Sequence, residues 1–160
     1  MKRHLALAMA AAAMPVTATL TPGDAMATPG PAGPAGPVPL KTITVTESTP
    51  FTSPSGNIGC YLGPEYVRCD IRERSWSPPP KAADCPDYTG WGQGIQLSDG
   101  RPAAFVCAGD TALTTGNPLA YGDTMVAGSI ECTSSPAGIT CWDFQYGGEF
   151  SISREAYHLA

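Results

Sequence analysis

Two segments of this chain follow one pattern, and that repetition constrains the fold more than any other feature. Gly56-Asn57-Ile58-Gly59-Cys60 opens the first segment and Gly128-Ser129-Ile130-Glu131-Cys132 the second, both reading G-x-I-x-C. Eight residues separate Cys60 from Cys69, and eight separate Cys132 from Cys141. A β-branched residue stands two places before each closing cysteine, Val67 in one copy and Ile139 in the other. Side chains on a strand alternate between its two faces. Placing Cys60 opposite Cys69 therefore sets Leu62 opposite Val67 and Ile58 opposite Ile71, all six on one face. The other face receives Asn57, Tyr61, Arg68, Asp70 and Arg72. This is the alternation of an antiparallel hairpin covering a core.

The chain holds six cysteines, none before Cys60. An even count in an exported chain reads as a disulfide framework, with 15 connectivities open in principle for six cysteines. The repeat selects Cys60–Cys69 and Cys132–Cys141, which leaves Cys85–Cys107 by elimination. Closing a loop of about 10 residues contributes about 2.7 kcal/mol in the chain-entropy model, and one of about 23 contributes about 3.4. Such cross-links matter in a chain with 18 glycines, 17 prolines and few long apolar runs.

Export is predicted from the first residues. Lys2 and Arg3 precede the apolar stretch Leu5 to Ala13, Pro15 breaks it, and Ala25-Met26-Ala27 offers a small-x-small cleavage pattern. Cleavage is placed after Ala27, with Ala18 as the alternative. The apolar run is shorter than the roughly 18 residues a spanning helix needs. Residues 1–27 thus read as a signal peptide. Residues 28–41, rich in Pro, Gly and Ala, read as a stiff spacer, too short for a collagen array despite Gly30, Gly33 and Gly36 at every third place. Residues 42–160 remain for one disulfide-rich β domain. The expected location is secreted or extracytoplasmic, without a membrane anchor, and the expected state is a monomer.

Within that domain Thr42 to Thr46 alternates as a strand, and Trp76-Ser77-Pro78-Pro79-Pro80-Lys81 reads as a polyproline crossing to Cys85. Ile95-Gln96-Leu97, Ala103 to Cys107 and Glu149 to Ser153 are further strand candidates. No window of helical period reaches useful length. The fold expected is all-β: a small antiparallel sandwich or barrel of about eight short strands, with two pseudo-repeated disulfide-stapled hairpins.

Several runs resemble an exported actinobacterial family, domain-of-unknown-function family 6636. They are Ser53-Pro54-Ser55-Gly56-Asn57-Ile58-x-Cys60, Val67-Arg68-Cys69, Gly109-Asp110-Thr111, Tyr121-Gly122, Gly138-Ile139-Thr140-Cys141 and Ser153-Arg154-Glu155-x-Tyr157. The resemblance spans Phe51 to the C-terminus. It implies export, an origin in high-GC Gram-positive bacteria and paired cysteines. It implies no activity and therefore no catalytic residue.

Chemistry narrows the function classes. Removing residues 1–27 leaves seven Lys/Arg against thirteen Asp/Glu, a formal charge of −6. An acidic domain without a basic cluster is a poor partner for nucleic acid. Arg68, Arg72 and Arg74 alternate with Asp70 and Glu73, which reads as a solvated strand face of mixed charge. The domain retains one histidine, His158, and no unpaired thiol is expected, so neither a transition-metal site nor a cysteine nucleophile is expected. No nucleophile-elbow or Ser-x-x-Lys pattern occurs. No catalytic residue, metal or cofactor is assigned.

The candidate ligand contacts are two aromatics: Trp91, in a glycine-rich stretch read as a loop, and Trp142, on the outward face of the second hairpin. An exposed ring on a rigid sheet can stack on a sugar or anchor a protein. The leading reading is an exported non-catalytic binding or interaction module whose partner is a cell-wall carbohydrate or an extracellular protein. The alternatives are a small hydrolase using paired carboxylates from Asp84, Asp87, Asp99, Asp110, Asp123, Asp143 and Glu149, or a protease-inhibitor-like domain.

Overall fold

The computed structural model describes residues 39–113 and 116–160. The expected signal peptide and the spacer as far as residue 38 lie outside the described residues. Twelve strands and no helix are found among those described: β1 (Thr42–Thr44), β2 (Thr49–Thr52), β3 (Ile58–Gly63), β4 (Tyr66–Ile71), β5 (Trp91–Ser98), β6 (Ala104–Cys107), β7 (Asn117–Pro118), β8 (Thr124–Ala127), β9 (Ile130–Ser135), β10 (Gly138–Asp143), β11 (Gly148–Ile152) and β12 (Tyr157–Leu159).

They form two six-stranded sheets, ordered β6-β5-β4-β3-β2-β7 and β1-β8-β9-β10-β11-β12. Each sheet contains a five-strand antiparallel meander, β2 to β6 in one and β8 to β12 in the other. Each then gains one short parallel strand at its edge, and the two edge strands are exchanged. β1, which precedes the first meander, pairs with β8 of the second; β7, which precedes the second, pairs with β2 of the first. Their backbone bonds, such as Val45 N to Val126 O at 2.8 Å and Leu119 N to Thr52 O at 2.9 Å, occupy edges that would otherwise present unpaired amides. The duplicated unit is therefore larger than a hairpin.

The all-β sandwich is thus the observed fold, and the barrel alternative is not. The expectation of eight antiparallel strands is corrected to twelve strands with two parallel pairings. Pro50 stands within β2 without breaking a ladder to β7, because only Phe51 and Thr52 pair β7 and Pro50 lies beyond the end of that short strand. Both hairpins turn in two residues. Gly63 pairs with Tyr66 and Ser135 with Gly138, leaving Pro64-Glu65 and Pro136-Ala137 as the connections.

Register in the first hairpin sets Ile58 opposite Ile71, Cys60 opposite Cys69 and Leu62 opposite Val67, as the spacing predicts. Cys60–Cys69 and Cys132–Cys141 are disulfides with Cα atoms 4.1 Å apart, the close spacing of directly opposed residues. Cys85–Cys107 ties the proline-rich connection to the end of β6. All four hairpin cysteines are buried with Phe51, Leu62, Val67, Ile95, Leu97, Ile130, Ile139, Phe150 and Ile152, in one core between the sheets. At one end the core is closed by aromatic rings. Tyr157 stands 4.8 Å from Phe105 edge-on and 4.7 Å from Trp76, whose indole N–H donates to Ser153 O.

Candidate binding face

Aligning the two hairpins on their cysteines shows what each copy places on its outer face. In the first, Asp70 follows the closing cysteine, with Gly59 opposite it on β3 and Gly94 opposite it on β5. In the second, Trp142 holds that position, with Glu131 opposite on β9 and Glu149 opposite on β11. A carboxylate between two glycines has become an indole between two carboxylates.

The first arrangement is sealed. Asp70 is fully buried, which corrects the expected solvated face at that position, while Arg72 and Glu73 are exposed as expected. Both carboxylate oxygens take hydrogen bonds from Arg68, through Nε and an Nη at 2.9 Å each. Oδ2 also accepts from Thr111 Oγ1 at 3.1 Å, Ala112 N at 2.9 Å and Gln93 Nε2 at 3.2 Å. Residues 110–113 thus form a strap across the sheet, and Arg68 locks it through Asp110 Oδ1 at 2.7 Å and Asp110 O at 2.9 Å. Glycine at 59 and 94 makes room for this. A Cβ on Gly59 would collide with Ala112 O, and one on Gly94 with Asp70 Oδ1. Burial works to lower the Arg68 pKa, but its hydrogen bonds to the Asp70 and Asp110 carboxylates outweigh it and raise it. The same guanidinium holds the Asp110 carboxyl below its ordinary range.

The second arrangement is open. None of the outward side chains of the second sheet is buried, in contrast with Asp70. Beside the Glu131–Trp142–Glu149 row runs a second one: Thr42, Thr124, Thr133, Thr140, Ser151 and His158 are successive cross-strand partners over all six strands. Thr124 and Thr133 hydroxyls meet at 3.1 Å. Neighbouring strands lie about 4.8 Å apart, so the face is a ruled plane of hydroxyls alongside an indole and two carboxylates. Neither glutamate side chain makes a hydrogen bond or ion pair among the described residues.

A family described as "Family of unknown function (DUF6636)" matches residues 38–159. The chain belongs to DUF6636. No curated protein and no solved structure matches it.

Within this DUF6636 domain the other sequence candidate, Trp91, is not in a loop. It opens β5, half-buried, with its indole N–H donating to Pro79 O at 3.0 Å and its ring 6.3 Å from Phe105. It joins the aromatic closure of the core, and Trp142 lies on the opposite sheet, so the two are not brought together.

An open cleft of about 400 Å³ lies where Ser53 to Ile58, Arg72, Glu73, Tyr121 and Ser153 to Glu155 converge. Several of its smaller polar groups are engaged within turns and connections. Ser53 Oγ accepts from Ile58 N at 3.1 Å, Asn57 brackets the Glu73 backbone with two bonds of 2.9 Å, and Ser153 Oγ accepts from Ala156 N at 3.1 Å. These runs close turns and stitch connections, a structural account of motifs that sequence alone left unassigned.

Acid–base chemistry finds little support. Burial alone would raise the Asp143 pKa, but amides including Gln145 N at 2.9 Å and Tyr146 N at 3.2 Å outweigh it and hold the carboxyl below its ordinary range. A general acid needs the reverse shift. Groups of three or more His, Cys, Asp or Glu side chains able to hold a metal are absent among the described residues.

The sequence reading missed Glu131 and Glu149 as flanks of Trp142. The signal was present: the repeat alignment puts Glu131 opposite Trp142 as soon as Cys132 is set opposite Cys141. It also missed the strap. Gly59 and Gly94, glycines inside strands, were its only trace.

Proposed function

We propose that this DUF6636 domain is an exported, non-catalytic binding module whose contact surface is the outer face of the second sheet, centred on Trp142. The observation that carries this is the contrast at one matched position. Where the first copy buries a charge under a strap, the second leaves an indole partly exposed on a solvent-facing sheet. Partly exposed indoles on rigid strands offer a large apolar area at small entropic cost. Three disulfides, typical of extracytoplasmic proteins, agree with a partner outside the cytoplasm. Two carboxylates open to the hydrolase reading, Asp110 and Asp143, are held below their ordinary range, the reverse of what a general acid needs. The inhibitor reading has a loop beside a disulfide, with Tyr88 at 92% exposure. However, Thr89 N bonds Pro86 O at 2.9 Å, closing a turn there, whereas proteases take their substrates extended.

The test is retention of the purified domain 42–160 on cell-wall fractions and on immobilised secreted proteins. Wild type is expected to be retained, and Trp142→Ala to lose at least tenfold in retention with an unchanged circular dichroism spectrum. Trp91→Phe should bind as wild type. Equal retention of Trp142→Ala, or no retention of wild type at any salt concentration, would remove the reading.

A further inference from the structure

We infer that the ligand of this face is a glycan bearing free amino groups, its ammonium substituents held between Trp142 and the carboxylates of Glu131 and Glu149. This rests on the binding face just proposed and adds the chemistry of its occupant. Three observations support it.

The first is uncompensated charge. Glu131 and Glu149 flank Trp142 on the two neighbouring strands, with Cβ atoms of directly opposed residues about 5 Å apart. No Lys or Arg occurs in any of the six strands of this sheet, whose one basic residue among those described is His158, in the adjoining row. Among the described residues the carboxylates paired with a cation are Asp70 and Asp110, which share Arg68, and Glu73, which meets Arg154 at 3.8 Å; all lie outside this face. Two carboxylates left without a cation beside an aromatic ring are complementary to a cation supplied from outside.

The second is the ring. An ammonium over an indole face gains cation–π attraction in addition to its pairing with the carboxylates. The same indole stacks on the apolar face of a pyranose. A sugar carrying an amine uses both properties at once.

The third is the hydroxyl row. Thr124, Thr133, Thr140 and Ser151 run parallel to the Glu–Trp–Glu row across the strands. Hydroxyls both donate and accept, which suits the ring hydroxyls of a chain lying across the sheet. A basic peptide would bring ammonium groups to the carboxylates but no ring hydroxyls to this row.

The experiment measures binding by calorimetry at two salt concentrations for four probes. These are a β-linked glucosamine hexamer, its fully N-acetylated counterpart, a neutral β-linked glucose hexamer and a lysine hexamer. The glucosamine hexamer is expected to bind at least tenfold more tightly than the acetylated or neutral sugar, with affinity falling as salt rises. Glu131→Gln with Glu149→Gln should erase that tenfold preference while changing affinity for the acetylated sugar less than twofold. Trp142→Ala should abolish binding to all three sugars. Because Trp142→Ala keeps the domain's net charge, unchanged glucosamine binding by this variant would expose non-specific attraction and overturn the inference. Equal affinity for the three sugars would overturn the ammonium assignment and leave the binding face standing. Binding of the lysine hexamer alone would overturn the glycan, and binding of none of the four would overturn the inference, while retention on cell-wall fractions or secreted proteins decides the binding face separately.

Discussion

Asp70 and Trp142 occupy one place in two copies of the same meander, and they are opposites. Asp70 is charged, fully buried and bonded by Arg68, Gln93, Thr111 and Ala112. Trp142 is largely apolar and partly exposed, on an outer face whose side chains all reach solvent. The neighbours invert in step: Gly59 and Gly94 leave room for a strap, while Glu131 and Glu149 line the indole with charge. One backbone register thus supports a sealed face and an open one. What differs is whether the flanking positions admit a crossing segment.

If the first face is structural and the second is not, substitutions at matched places should separate sharply. Removing Asp70 takes two bonds from the mostly buried Arg68, which keeps only Asp110, and leaves the Ala112 amide without its acceptor. Asp70→Ala should cost about 3–5 kcal/mol, the cost of breaking a buried pair from one side. Trp142→Ala should stay within about 0.5 kcal/mol if that ring serves a ligand rather than the core. Urea unfolding of the two variants measures both. Equal losses would end the division between faces.

The flanks give the next largest effect. A methyl at Gly94 must displace Asp70 or the backbone at Cys69, and one at Gly59 must displace the strap at Ala112 and Leu113. Gly59→Ala and Gly94→Ala should each cost about 1–3 kcal/mol, the range for overpacking. Glu131→Ala and Glu149→Ala, at the matched places, should change stability by less than about 0.5 kcal/mol. Thermal denaturation of the four single variants provides the comparison. A tolerated alanine at 94 would mean that the strap lifts readily.

Inside the core the copies differ again, with a smaller expected effect. Leu62 in the first hairpin corresponds to Ser134 in the second, opposite Val67 and Ile139 respectively. Ser134 is fully buried and its hydroxyl has no partner. Ser134→Ala should raise stability by about 1 kcal/mol by removing an unsatisfied group. A loss on chemical denaturation would mean that a buried water completes the site.

The hairpins were legible because three independent signals agreed: cysteine spacing, β-branched residues before each closing cysteine, and polar residues at alternate places. The exchange of β1 and β7 was not. Pairings of two or three residues between distant segments leave no periodicity, and Thr42 to Thr46 reads as a strand without naming its neighbour. Asp70 read as solvated because alternation reports which face a residue takes, not whether another segment crosses that face. Trp91 read as loop because glycines surround it; Gly94 is there for Asp70, and the strand continues through it. Trp142 was read on the outward face because inward and outward positions are fixed by the disulfide register alone.

The least of the expected effects tests the strap from solution. Asp110 is paired with Arg68 at 2.7 Å, yet its side chain is 81% exposed, so solvent screens much of the attraction. Its folded pKa lies below the ordinary value of 3.8, which means the unfolded chain binds the proton more readily. The pair therefore contributes fully above pH 3.8 and is lost as pH falls from there through the folded pKa. Asp110→Asn should cost under about 1 kcal/mol at neutral pH, and the gap from wild type should close in acid. Hydrogen exchange at Ala112, whose amide bonds Asp70 within the strap, should quicken in wild type over the same interval. Amides of β9 and β10 should show no matching change. Acid-quickened exchange in both hairpins alike would mean that the sheets loosen together, and that the strap holds more than its own face.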